Sequence, residues 1–320
     1  MNILFVTSTR IGDAILSTGL LEHLRSQNAL INVTIACGPS AAPLFDGFPG
    51  LKKIIVLDKM LLSMHWLRLW ILTISTNWDI IIDLRNAPIT HILRRRKRFT
   101  LSRTRDDKRR VEQISDVLNL KEVAAPKIWT NNYHNELAKE LLPDGEKILA
   151  IGPTANWRAK TWPPEYFAEL IERLTGSTGI LSNGRILLLG RDEERPMVQR
   201  LINSIPSEKL IDLIGRVDLL TAYACLEKSA FYIGNDSGLM HLAASSGIPT
   251  LGLFGPTKEE LYAPWGENAS VVRTAIPFGD IFPKRFDHRT SESLMGSLTV
   301  DMVHDAAKIL WIRTRSKFDG

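Results

Sequence analysis

Gly234-Asn235-Asp236-Ser237-Gly238-Leu239-Met240-His241-Leu242-Ala243-Ala244 joins an apolar run, residues 230–233, to a helical pattern through a short polar loop. The run reads as a buried strand, and the amides of Ser237, Gly238 and Leu239 open the helix with no partner inside it. Aligned peptide dipoles add positive charge at that end, so the loop suits a phosphate. Gly247-Ile248-Pro249 stops the helix, residues 250–254 read as the next strand, and Gly255-Pro256-Thr257 is a second strand-to-helix entry. Two such entries in succession point to a nucleotide or sugar-phosphate site at the carboxyl edge of a parallel sheet.

The same alternation runs through the chain. Residues 1–6 are an apolar run followed by the polar segment 7–13 and a helical pattern over 14–25; further strand-length runs lie at 33–36, 54–57 and 80–84. A second set follows at 147–152, 185–190, 210–214, 231–233 and 250–254, with helices at 164–174, 194–205 and 219–228. Strand alternating with helix implies parallel, doubly wound sheets. The 320 residues suit two Rossmann-like α/β domains, divided in the polar stretch 142–146 into 1–145 and 146–320, with a last helix at 300–313 able to pack on either.

Charge is unevenly spread. The net charge is +5, yet residues 1–147 carry 21 Lys/Arg against 15 Asp/Glu. The excess lies in Arg94-Arg95-Arg96-Lys97-Arg98 and in 103–110. Such runs are solvated faces or meet nucleic acid, an anionic membrane surface or an acidic substrate. Residues 60–78 are apolar but broken by Ser63, His65, Arg68, Ser75 and Asn77, short of the ~20 continuous apolar residues a span requires. They read as a core helix or as an amphipathic one with Trp66 and Trp70 on a bilayer surface. Cys37 and Cys225 lie far apart, and the first residues lack a secretory pattern, so a cytoplasmic location is expected.

Three loops carry chemistry. In Arg10-Ile11-Gly12-Asp13, Asp13 stands at the start of the first helix, where it either caps the helix or takes a proton from an attacking hydroxyl; Arg10 binds an acidic group or is solvated. In residues 152–163, Arg158 and Lys160 are placed to neutralise a pyrophosphate, and Thr154 to hydrogen-bond it. In the opening stretch, Asp236 suits sugar hydroxyls, the amides of Ser237 and Gly238 suit a phosphate, and His241 is either a structural residue or a donor to the same anion. Asp192 and Glu193 follow the 185–190 run at the position of a ribose-binding carboxylate. GxGxxG after the first strand, GxxxxGK[ST], GxSxG, HExxH and CxxC are all missing, and no spaced His/Cys/carboxylate cluster suggests a metal.

Ile11-Gly12-Asp13, Trp157-Arg158-Ala159-Lys160-Thr161-Trp162-Pro163, residues 235–244, residues 253–257 and Pro264-Trp265-Gly266, in this order, resemble the ADP-heptose:lipopolysaccharide heptosyltransferases of glycosyltransferase family 9. The resemblance implies the glycosyltransferase B fold, two domains facing across a cleft, with acceptor on the first domain and nucleotide sugar on the second. It further implies inversion at the sugar carbon without a metal or other cofactor. By position, Asp13 matches the family's general base, Lys160 its phosphate-binding lysine, Thr154 a diphosphate contact, and Asp236, Ser237, Gly238, Leu239 and His241 its donor-contacting stretch. Thr7 stands where better-known members carry a lysine associated with the acidic acceptor, which leaves Arg10, Arg85 or the 94–110 cluster to supply charge.

The implied activity is heptose transfer from ADP-heptose to an acidic, lipid-linked lipopolysaccharide core acceptor at the inner face of the membrane, with peripheral membrane contact and no nucleic acid partner. A nucleotide-sugar epimerase on the same architecture, or a basic nucleic-acid-binding module with a nucleotide-sensing domain, are the alternatives. Phe99 is the single aromatic in the basic run, which disfavours base stacking.

Overall fold

The computed structural model describes residues 1–58, 63–101, 107–287 and 290–315. The start of the apolar segment at 60–78 and residues 103–106 of the second basic run lie outside the described residues. Two compact units emerge, Met1–Asn131 and Asn132–Gly320.

In the first unit, β1 (Asn2–Val6), β2 (Asn32–Cys37), β3 (Leu51–Val56), β4 (Trp78–Asp83) and β5 (Arg95–Thr100) form an all-parallel sheet in the order β3-β2-β1-β4-β5. Central β1 buries Ile3, Leu4, Phe5 and Val6 completely, as expected for a strand covered on both faces. Helix α1 (Ile11–Gln27) links β1 to β2, α2 (Met64–Thr73) precedes β4, and α3 (Arg110–Asp116) packs on α1.

Two open readings resolve here. The basic run Arg95-Arg96-Lys97-Arg98 is the first part of edge strand β5, held in register by β4 through Trp78↔Arg95 and Ile81↔Arg98. A charged edge strand is one way sheets avoid pairing with foreign strands. Helix α2 packs as a core helix: Leu69, with Trp66 and Trp70 beside it, lies against a cluster containing Leu4, Val6, Ile55 and Ile81. Both tryptophans therefore face inward, because a bulky ring is needed to fill the span between helix and sheet, and the outward apolar residues are others.

In the second unit, β6 (Ile148–Gly152), β7 (Arg185–Leu188), β8 (Leu210–Asp212), β9 (Phe231–Asn235), β10 (Thr250–Phe254) and β11 (Ala269–Arg273) form a parallel sheet in the order β11-β10-β9-β6-β7-β8. Its helices are α4 (Asn132–Leu141), α5 (Pro164–Thr175), α6 (Arg195–Ser204), α7 (Leu219–Glu227), α8 (Gly238–Ser245), α9 (Glu259–Tyr262) and α10 (Val300–Arg315). The division falls at Asn131/Asn132 and not within 142–146, because α4 packs on α7. Helix α10 packs within the second unit. Its Val300, Val303, Ala307 and Leu310 join the core of α5 and the second sheet, and Trp311 meets the Phe231 ring at 6.1 Å.

Each sheet reverses direction once. The chain runs from β1 outward through β2 and β3, then restarts on the other side at β4; likewise from β6 through β7 and β8, then back at β9. Ligands of open parallel sheets sit at the carboxyl ends of the strands flanking such a reversal. Those ends are residues 7–10 and 84–87 in the first unit, and 153–163 and 236–237 in the second. No helix among the described residues is long and apolar enough to cross a membrane.

Candidate functional site

At the reversal of the first sheet, Thr7, Ser8, Asp13, Leu84, Arg85, Arg110 and Ile114 line a pocket of about 150 Å³. Asp13 is not the cap of α1, which is Arg10; it sits in the first turn with its carboxylate half-buried. Its Oδ2 accepts from the Ser8 hydroxyl at 3.4 Å, and Arg110 Nε lies 3.9 Å from Oδ1. Oδ1 makes no hydrogen bond among the described residues. A carboxylate held in place with one oxygen uncommitted can take a proton from a hydroxyl entering the pocket.

Arg85 is positioned by a buried carboxylate. Asp83, at the end of β4, accepts from the N–H groups of Arg85 (3.0 Å) and Ala87 (2.7 Å) and from the Thr90 hydroxyl (2.6 Å), which folds the following loop tightly. The Arg85 guanidinium lies 4.8 Å from the Trp66 ring centroid, and burial pulls its pKa below the ordinary arginine value despite the nearby Asp83 charge. Arg10 is exposed and does not line the pocket. Thr7 is fully buried and hydrogen-bonded through its hydroxyl to Ser17 at 2.8 Å. Arg110, legible in the sequence only as part of a basic run, forms an ion pair with Asp13.

At the reversal of the second sheet, Lys160 ends a short 3-10 turn (Arg158–Lys160) and donates to the Asp236 carbonyl at 2.8 Å and to Asp236 Oδ2 at 3.1 Å. Both side chains are largely buried. The pair joins the loop after β6 to the loop after β9. Asn235 reinforces the link, its Oδ1 accepting from the Trp162 N–H at 2.9 Å. Ser237 is the N-cap residue of α8, and its hydroxyl is buried without a hydrogen-bond partner among the described residues. With the N–H groups of Gly238 and Leu239 in the first helical turn, this end of α8 is set for an anion. His241 is buried one turn further along.

Beneath these loops the Tyr232 ring lies across two glycines: a Cβ on Gly152 would fall 2.0 Å from the phenol oxygen, and one on Gly234 2.3 Å. The phenol faces the Ser237 side chain without meeting hydrogen-bond geometry, and burial raises its pKa, so it stays protonated.

Thr154 and Lys160 are thus held inside the second unit, whereas Arg158 is exposed and paired with Glu292 at 2.6 Å. Asp192 and Glu193 are exposed on a 3-10 turn, and it is the next residue that reaches the site. Buried Glu194 accepts from Thr154 Oγ1 at 2.7 Å and from Arg191 through its backbone N–H (3.0 Å) and guanidinium. Burial acts to raise its pKa, but these hydrogen bonds and the Arg191 charge hold it below the ordinary carboxylate value. Neither Glu194 nor Tyr232 carries a local sequence signal. Among the described residues no three His, Cys, Asp or Glu are grouped to hold a metal ion.

The model of glycosyltransferase family 9 (heptosyltransferase) matches residues 104–282. The chain belongs to this family. It is therefore a glycosyltransferase, which decides against both the epimerase and the nucleic-acid-binding module. Lipooligosaccharide heptosyltransferase 2 of Campylobacter jejuni is 27% identical over 299 residues, 85% of this chain and 86% of its own. Lipooligosaccharide heptosyltransferase 2 of Haemophilus influenzae is 30% identical over 134 residues, covering 40% of this chain and 37% of its own. Among solved structures, the Escherichia coli heptosyltransferase WaaC with ADP superposes with a TM-score of 0.72 at 17% identity, covering 97% of this chain and 100% of the other. The family 9 enzyme shares with it the two parallel-sheet, Rossmann-like units of the glycosyltransferase B type.

Proposed function

We propose that this family 9 glycosyltransferase moves a heptose from ADP-heptose to a hydroxyl of an acidic, lipid-linked saccharide acceptor of the lipopolysaccharide core, with inversion at the anomeric carbon. The acceptor hydroxyl gives its proton to Asp13 as its oxygen bonds to that carbon from one face. The bond from carbon to the diphosphate oxygen breaks on the opposite face, and ADP leaves with the electron pair. The charge it gains is met by Lys160 and by the start of α8 at Ser237, Gly238 and Leu239. Asp236 is assigned to sugar hydroxyls of the donor, and Arg85 and Arg110 to the anionic groups of the acceptor.

The observation that carries the reading is the buried, unpartnered Ser237 hydroxyl at the start of α8 beside Lys160. A hydroxyl left in that state costs about 1–3 kcal/mol, which a bound phosphate oxygen recovers. The bound ADP of the WaaC structure and the heptosyltransferase names of the curated relatives supply the donor.

The deciding experiment pairs transfer with binding. Asp13→Ala is expected to slow heptose transfer from ADP-heptose by roughly 10²–10⁴-fold while ADP titrates with unchanged affinity in calorimetry. Near-normal turnover of that variant would remove Asp13 from the chemistry.

A further inference from the structure

Helix α2 is amphipathic in an unusual sense: both of its faces are apolar. His65, Leu69 and Thr73 are buried, while Met64, Leu67, Ile71 and Leu72 are exposed on the other side, Ile71 by 59%. With Arg68 they line a shallow apolar groove of about 340 Å³. Met64, Leu67 and Ile71 recur at the spacing of a single helical stripe. Ile74, also exposed, follows the helix end. Soluble surfaces carry scattered apolar residues, but four lining one groove mark a contact surface.

The patch has a basic border. Trp78 ties the end of α2 to the start of β5, its indole donating to the Thr73 carbonyl at 3.1 Å and its backbone N–H to the Arg94 carbonyl at 3.1 Å. Arg94, Arg96 and Lys97 are exposed from that point onward, and Arg68 lies within the stripe itself. Arg96 is paired with Asp79 at 3.5 Å, and Arg68, Arg94 and Lys97 beside it leave the border net positive among the described residues.

We propose that the outward face of α2, with the start of β5 as its rim, docks on an anionic lipid surface. Apolar side chains enter the acyl boundary, Arg68 extends its aliphatic stem alongside them with its charge at headgroup level, and the β5 arginines meet the phosphates. The charge selects this occupant over a second copy of the chain. A two-fold pairing through the stripe would bring two copies of the same net-positive patch together, whereas an anionic bilayer complements that charge. Nucleic acid would leave the isoleucine stripe without a partner, since the tryptophans able to stack on bases face inward.

The proposal rests on no part of the transfer chemistry, so it is tested without donor or acceptor. The full chain is sedimented with vesicles of phosphatidylcholine alone and with vesicles containing phosphatidylglycerol. Binding is expected only to the second kind and is expected to weaken as salt rises. Leu67→Glu/Ile71→Glu should lower the partition coefficient by at least roughly tenfold with an unchanged melting curve. Arg94→Ala/Arg96→Ala should lower it by about fivefold per charge and flatten the salt dependence. Ile309→Glu/Ile312→Glu, on the exposed face of α10, is the control and should bind as the parent does.

Absence of parent binding to phosphatidylglycerol vesicles at low salt overturns the proposal. So does equal loss in the control, or a dimer in sedimentation velocity that Leu67→Glu/Ile71→Glu dissolves while vesicle binding persists. RNA binding that outcompetes vesicles would overturn it in favour of a nucleic-acid surface. None of these results touches the assignment of Asp13, which turnover alone decides.

Discussion

The two sheet reversals occupy the same topological position and carry opposite chemistry. In the first unit the carboxylate is the group left available: among the described residues Asp13 keeps one oxygen without a hydrogen bond and has a cation 3.9 Å away, beyond a direct hydrogen bond. In the second unit the carboxylate is subordinate: Asp236 is bonded to Lys160 at 3.1 Å, and the groups left over are donors, the Ser237 hydroxyl and the first-turn amides of α8. Topology explains why both sites are where they are. Side chains decide that one accepts protons and the other accepts anions, and a sugar transfer needs both halves.

If that contrast is right, the two ends fail differently. Damage to Asp13 removes a step and leaves binding, so its substitution has the largest effect on turnover and none on ADP. Lys160→Ala should do the reverse in kind, weakening ADP by roughly ten- to a hundredfold in calorimetry, the range of one charge-assisted hydrogen bond. Because that change also strands the Asp236 carboxylate, Lys160→Ala/Asp236→Asn belongs beside it. Restored melting temperature with ADP still weak would separate the binding role from the structural one. Full ADP affinity in the double variant would break the comparison.

A smaller effect is expected at Arg110. Arg110→Gln removes a charge from the Asp13 pocket while keeping a donor, and should raise the KM for an acidic acceptor by about tenfold at similar kcat. A neutral acceptor analogue should not feel the change. Equal loss with both acceptors would mean that Arg110 acts on Asp13 and not on the substrate.

The centres of both sheets were legible from the sequence because a strand buried on both faces must be an unbroken apolar run, as Phe5 and Ile233 with their neighbours show. The edges were not. Edge strands β5 and β11 have one side in solvent, and β5, with the sequence RRKRFT, satisfies its ladder to β4 while reading as a basic cluster. The boundary between units was misplaced for a related reason: α4 is polar and short, and only its packing on α7 assigns it to the second unit. The candidate site residues that stand within motifs, Asp13, Lys160 and Ser237 among them, could be singled out from the sequence. Arg110 and Glu194 were not, since each acquires its meaning from a partner distant in the chain, Asp13 or Thr154. Burial also reversed the sense of Trp66 and Trp70, whose identities suggested an interface while their positions built a core.

The smallest expected effect tests the floor beneath the anion site. Tyr232 is fully buried, and two glycines are given up to make room for its ring, yet its hydroxyl has no hydrogen-bond partner within the protein. Tyr232→Phe removes that hydroxyl and little else. If the group serves only as an unsatisfied donor in the empty site, the variant should be more stable by about 1 kcal/mol in denaturant unfolding, the usual gain from deleting a buried unpaired polar group. Saturating ADP should then narrow the difference, because a phosphate held at Ser237 gives the phenol, facing the same side chain, a polar neighbour that phenylalanine cannot use. A Tyr232→Phe protein less stable than the parent without nucleotide would show that the phenol is already satisfied by water. The unpartnered donors at α8 would then be fewer than the protein atoms alone suggest, and the contrast between the two reversals correspondingly weaker.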